Sequence, residues 1–192
     1  VGMDLAGRTA VGKHFPGHGT AAADSHLTVV SDDRSYEDIA AEDLIPFERM
    51  IHFGLAALMA AHVVYPRVDD KPAGFSRFWM HEVLRERLGF QGAIFSDDLG
   101  MAGAGTAGDI KRRAEAALEA GCDMLLLCNE LAAIPSLLDH LERYRNPASQ
   151  LRLARLHGRG KLDRAHVRLE SSWHEALQVV VECERPVTPD LV

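Results

Sequence analysis

Cysteine is scarce: Cys122, Cys128 and Cys183 are odd in number and stand at no metal-ligand spacing, which argues against a disulfide framework and against a cysteine-held zinc. Cys122 and Cys128 flank an apolar run and read as buried, reduced thiols of a cytoplasmic protein. Long hydrophobic runs are also missing. His, Asp or Arg interrupts each apolar stretch well short of the ~20 residues that a bilayer span needs, so a membrane-embedded chain is excluded. Basic residues number 21 against 28 acidic ones, the formal charge is -7, and no basic run is interleaved with aromatics, which excludes a nucleic-acid partner. No glycine-rich phosphate loop precedes a helix, and no sequence repeat is visible. The chain opens on Val1 without a charged, apolar, small-residue leader, and is expected to be a piece of something longer. What is present is a composition that is 47% apolar over 192 residues, enough for one sizeable core.

The densest chemistry lies in Lys13-His14-Phe15-Pro16-Gly17-His18-Gly19, followed by Asp24-Ser25-His26. Thr9 to Gly12 reads as a short buried strand that delivers Lys13 and His14 at its end, and Pro16, Gly17 and Gly19 then break it into a loop. Asp24 and His26 sit two apart, so an extended loop points both side chains the same way and lets a carboxylate hold an imidazole. On residue types alone, such a cluster admits catalysis, a metal site or a merely polar loop.

Downstream, Ser35 caps a helical pattern, with Asp38 in a capping-box position and a break or a fresh start expected at Pro46. Leu55 to Ala61 is apolar without alternation, the pattern of a strand buried on both faces in a parallel sheet, and it ends at His62. Pro72 to Ser76 reads as a loop and Trp79 to Leu88 as a helix stopped by Gly89; Gly92 to Phe95 is a third strand, running into Ser96-Asp97-Asp98. Ile110 to Ala120 forms a helix, Cys122 to Cys128 a fourth strand, and Ile134 to Tyr144 another helix. Strand, polar loop and helix recur at the pitch of βαβ units, with acids and imidazoles collected after strand ends. The expected fold is therefore parallel α/β with its site at the carboxyl edge of the sheet. Residues 1–148 hold four such units, and residues 149–192 form a helical tail packing on them. A complete (β/α)8 barrel takes ~250 residues, so this chain amounts to about half of one.

Lys13, His14, Asp24, His26, His62 and Asp97 make up the candidate site. A carboxylate at a strand end can act as nucleophile, and a loop His held by an Asp can protonate a leaving group and then activate water. Lys13 and His14 carry donors for sugar hydroxyls. His62 reads either as part of that binding set or as a satisfied core histidine, and Asp98 as a loop-fixing acid.

The segments Lys13 to Gly19, Asp24-Ser25-His26, Ala61-His62-Val63 and Ile94-Phe95-Ser96-Asp97-Asp98-Leu99-Gly100-Met101 closely resemble the bacterial β-N-acetylglucosaminidases of glycoside hydrolase family three that act in cell-wall recycling. The resemblance implies a TIM-barrel glycosidase domain, of which this chain is the carboxyl-terminal half and the missing amino-terminal half is the partner. It implies Asp97 as nucleophile, His26 as acid/base with Asp24 as its partner, and Lys13 and His14 as ligands of N-acetylglucosamine. It further implies a cytoplasmic, retaining, exo-acting enzyme on muropeptide-derived sugars, with no cofactor and no metal. Two alternatives stand beside it: a metal-dependent hydrolase built on His14, His18, Asp24 and His26, and a non-catalytic sugar-binding remnant.

Overall fold

The apolar runs of the main sheet pair in parallel. The computed structural model describes Met3 and residues 7–19, 28–158 and 164–183. The first of two units, Val1–Gly158, opens with strands β1 (Val11–Phe15) and β2 (Val30–Ser31) and helices α1 (Tyr36–Ala41) and α2 (Leu44–His52). Strands β3 (Ala57–Ala60), β4 (Val63–Tyr65) and β5 (Asp69–Pro72) follow, then a π-helix over Phe78–Arg87 and strand β6 (Ala93–Asp98). Helix α3 (Ile110–Ala120), strand β7 (Met124–Leu126) and helices α4 (Ile134–Leu141) and α5 (Pro147–Ala154) complete it. The second unit, Arg159–Val192, carries α6 (Arg164–Val167) and α7 (Ser171–Cys183). The helical segment expected from Ser149 onward is thus divided between the two units.

Strands β1, β3, β6 and β7 form one parallel sheet in sequential order, with helices in the connections. This is the TIM-barrel type of α/β architecture expected above, with all four strands pointing their carboxyl ends to one edge. Register explains which face is covered. Gly12, Leu58 and Ile94 stand side by side and are buried, and a Cβ on Gly12 would meet Leu58 Cδ2 at 2.9 Å and Leu55 Cδ2 at 3.0 Å. The next row, Lys13, Met59, Phe95 and Met124, points to the opposite face and is open, with Met124 38% exposed. The covered side merges into one core with Phe15, Phe47, Tyr65 and Trp79, where Phe15 meets Phe47 edge-on at 5.3 Å.

Local signals account for most boundaries. Ser35 and Asp38 make the reciprocal capping box that starts α1. Pro46 falls in the first turn of α2, where its missing N–H breaks no helical bond. Asp109 caps α3 by accepting from the Arg112 N–H. Three expectations need correction. Lys13 and His14 lie within β1, which runs on to Phe15. Strands β2, β4 and β5 form a second, three-stranded sheet that the sequence reading did not contain; at two to four residues each they are too short to show a period. Of the two thiols read as buried, Cys122 is, and burial pushes it up to about 12, whereas Cys128 is exposed.

Asp123 ties this unit together from within. Its buried carboxylate accepts from the Arg85 guanidinium at 2.8 Å, Ile94 N–H at 2.9 Å, Ser149 hydroxyl at 2.6 Å and Arg152 guanidinium at 3.0 Å. It joins the π-helix, β6 and α5. Asp123→Ala strands two cations and should cost about 3–5 kcal/mol in urea unfolding. A loss below ~1 kcal/mol would show that the network is not a structural tie.

Candidate active site

The carboxyl ends of β1, β3, β6 and β7 bring His14, the residue pair Ala61-His62, Asp97-Asp98 and Cys128-Asn129 to one edge. Alternation along β6 sends Asp97 to the open face with Phe95 and sends Asp98 to the covered face with Ile94 and Ser96. Two adjacent carboxylates therefore meet opposite environments. Asp98 is 8% exposed and its oxygens are occupied: Oδ1 accepts from Gly100 N–H and Cys128 N–H, each at 3.0 Å, and Asn129 Nδ2 lies 3.5 Å from Oδ2. It fixes the loops after β6 and β7. Asp97 turns Oδ1 back to the Asp98 N–H at 2.9 Å and presents Oδ2 to His14 Nε2 at 3.5 Å. That side chain is 14% exposed, accessible from the open face yet held by its neighbours.

His14 is partly exposed, and the His18 ring stands edge-on to it with centroids 5.7 Å apart. Lys13 is exposed in the open row. Cys128, exposed at the end of β7, lies beside the two acids: desolvation, then the charges of Asp98 and Asp97, push its thiol up. Its position just past a strand end was the available signal. The sequence reading also missed Tyr65, whose hydroxyl donates to the Gly17 carbonyl at 2.6 Å, and the Asp32–Arg34 pair beneath the same loop. Asp24 and His26 lie outside the described residues.

His62 is fully buried beneath the edge. Its Nε2 lies 3.2 Å from the Asp98 carbonyl oxygen, so the tautomer that fits carries its proton there. Its Nδ1 is buried without a partner, and the Phe75 ring packs on it at 5.1 Å. Burial pushes the imidazole below its ordinary range, against the opposing pull of the Asp97 charge. The unfolded state thus binds a proton more readily than the folded one. Stability from neutral His62 is complete above about pH 6.5, the ordinary imidazole value, and is lost as pH falls through the lower folded value. The urea midpoint should decline from pH 7 to pH 5, with a shallower decline in His62→Gln. Equal slopes in the two proteins would exclude His62 as the source.

Among the described residues no group of three or more His, Cys, Asp or Glu side chains is placed to hold a metal ion, and no helix is long and apolar enough to cross a membrane. A cavity of about 660 Å³ lined by Asp70, Lys71, Phe75, Arg77 and Glu119 among others includes none of the candidate residues.

Comparison with known proteins identifies the family. The profile described as glycosyl hydrolase family 3 N terminal domain matches residues 1–156. A curated beta-hexosaminidase of Methylococcus capsulatus is 52% identical over 178 residues, covering 92% of this chain and 53% of the relative. The crystal structure of NagZ from Neisseria gonorrhoeae in complex with N-trifluoroacetyl-D-glucosamine superposes with a TM-score of 0.78 at 43% identity, covering 94% of this chain and 52% of that one. The same protein in complex with zinc ion gives a TM-score of 0.76 at 40% identity, covering 93% and 51%. The chain spans about half the length of the curated relatives it matches.

Proposed function

The chain belongs to glycosyl hydrolase family 3, and from that membership we propose that it forms the catalytic half of a retaining exo-β-N-acetylglucosaminidase acting on terminal N-acetylglucosamine of peptidoglycan-derived muropeptides in the cytoplasm. The observation that carries the reading is Asp97, an accessible carboxylate at the end of β6 whose Oδ2 faces His14. A relative described with an N-acetylglucosamine analogue bound supports the sugar.

Asp97 attacks the anomeric carbon as the bond to the glycosidic oxygen breaks, and His26, oriented by Asp24, gives that oxygen its proton. The product is a glycosyl ester on Asp97. Water then attacks the same carbon, His26 takes the water's proton, and Asp97 leaves as a carboxylate. Two inversions give net retention. Lys13 and His14 donate to the sugar hydroxyls and hold the anomeric carbon in line with Asp97, which is where orientation lowers the barrier. His62, fully buried with its Nε2 on the Asp98 carbonyl, braces the end of β6 from beneath.

The test uses a chimera in which this chain replaces the matching segment of the Methylococcus capsulatus relative. It should release N-acetylglucosamine from its 4-nitrophenyl β-glycoside with the β-anomer appearing first by proton NMR, unchanged by chelator. Appearance of the α-anomer first would refute the double-displacement mechanism. The zinc complex of the neighbouring NagZ keeps a metal-dependent hydrolase in view, and loss of turnover on chelation with recovery on added zinc would establish it instead. Binding of the sugar without turnover would mark a non-catalytic remnant.

A further inference from the structure

His18 has no part in the reaction just described, although it stands at the same edge as the residues that do. Its half-buried ring packs edge-on against His14, with centroids 5.7 Å apart and planes inclined at 67°. At that separation the positive rim of one ring meets the negative face of the other, an attractive arrangement. His14 in turn presents Nε2 to Asp97 Oδ2 at 3.5 Å. Two imidazoles in contact thus end on the carboxylate assigned as nucleophile.

The sheet leaves the His14 ring in need of such a contact. The β1–β3 ladder gives partners to Val11, Gly12, Lys13 and Phe15, and its register slips between Lys13 and Phe15, so His14 stands at the irregularity. A bulge of this kind re-aims a side chain and is not held by the pairing around it. The His14 side chain is also 28% exposed, so core packing does not enclose it.

His18, by contrast, stands on a fixed platform. The Gly17 carbonyl accepts from the Tyr65 hydroxyl at 2.6 Å, and a Cβ on Gly17 would stand 2.6 Å from Asp43 Oδ2. Gly19 has φ +50°, a left-handed backbone, and a Cβ there would overlap both Asp32 Oδ2 and the Arg34 guanidinium. Arg34 Nη2 joins those two acids, donating to Asp32 at 2.8 Å and to Asp43 at 2.6 Å. Both neighbours of His18 are therefore pressed against one charge cluster, and the imidazole between them is carried at a set position.

We propose that His18 is a positioning residue for His14: its ring, through shape and edge-on contact, holds the His14 imidazole in the orientation that meets Asp97 and the sugar. The kinetic consequence rests on the glycosidase reading, whereas the ring contact does not depend on it. The role requires an aromatic ring at position 18 and no nitrogen. A metal ligand or a sugar donor would require the nitrogen. It also lies on the sugar side of the scissile bond, so it is indifferent to the leaving group.

Variants of the chimera separate these cases. His18→Ala should lower kcat/KM on the 4-nitrophenyl N-acetyl-β-glucosaminide about 10-fold, and His18→Asn, polar but without a ring, should lower it as much. His18→Phe, which keeps a ring and loses both nitrogens, should stay within about 3-fold of the parent. The loss in His18→Ala should be equal, within about 3-fold, on an alkyl N-acetyl-β-glucosaminide. Proton NMR of the parent and of His18→Phe should show a nuclear Overhauser contact between the His14 ring and the ring at position 18. A loss in His18→Phe as large as that in His18→Ala, an unchanged rate in His18→Ala, or a loss that grows with a poorer leaving group overturns the proposal. So does absence of the ring contact in the parent. Failure of the unsubstituted chimera to turn over would instead count against the glycosidase reading, and the ring contact would still decide whether His18 abuts His14 in solution.

Discussion

Asp97→Asn in the chimera should lower turnover of aryl N-acetyl-β-glucosaminides by on the order of 10⁴-fold or more, because it removes the proposed nucleophile. Asp98 is adjacent in sequence but its oxygens are turned away and occupied by the Gly100 and Cys128 N–H groups. Asp98→Asn should therefore act through loop position, with a smaller loss that falls on KM and kcat together. A slow 2-fluoro glycoside should leave its label on Asp97, located by peptide mapping. Label on Asp98, or a residual rate in Asp97→Asn within 10-fold of the parent, would remove Asp97 from the mechanism.

That two neighbouring acids divide their work was legible before the structure only in part. Asp97 and Asp98 both follow an apolar strand, and their spacing guarantees opposite faces, but which face is covered depends on β6 lying between β3 and β7. The four sheet strands were visible because each falls on a short apolar run bounded by Gly or by polar residues. Their ends were read too early or too late: β1 swallows Lys13 and His14, and β7 shrinks to Met124–Leu126. His62 is the clearest case of an ambiguity that composition cannot remove. A histidine after an apolar strand looks alike whether its ring faces a ligand or a carbonyl, and the 3.2 Å approach to the Asp98 oxygen comes from a contact 36 residues away in sequence. Arg34 was passed over for a similar reason: Asp-Asp-Arg reads as an ordinary solvated charge run until Gly17 and Gly19 fold back onto it.

The 192-residue chain alone should release little or no 4-nitrophenol from the N-acetylglucosaminide, with a deficit of at least ~10³-fold against the chimera. The reason is the open face of the sheet. Val11, 44% exposed, and Met124, 38% exposed, flank half-buried Met59 and Phe95 on the side that Lys13 and Asp97 share. Among the described residues β1 and β7 each pair on one side only, so both sheet edges offer unpaired backbone groups. In a closed barrel those edges pair and that face becomes interior. The relatives are about twice as long as the matched segment, enough chain for the remaining strands. Two consequences follow for the isolated chain. Its apolar face and edges favour self-association, which sedimentation should register as concentration-dependent species above the monomer. A sugar resting on Asp97 would be held by Lys13 and His14 from one side only, and the loss of orientation alone is worth several powers of ten. Adding the remainder of the relative's chain in trans should suppress association and restore turnover together. A monodisperse 192-residue monomer turning over at ~1 s⁻¹ or faster, within the ordinary range for enzymes, would mean that the open face is closed by residues of this chain and that the sugar is held without a second half.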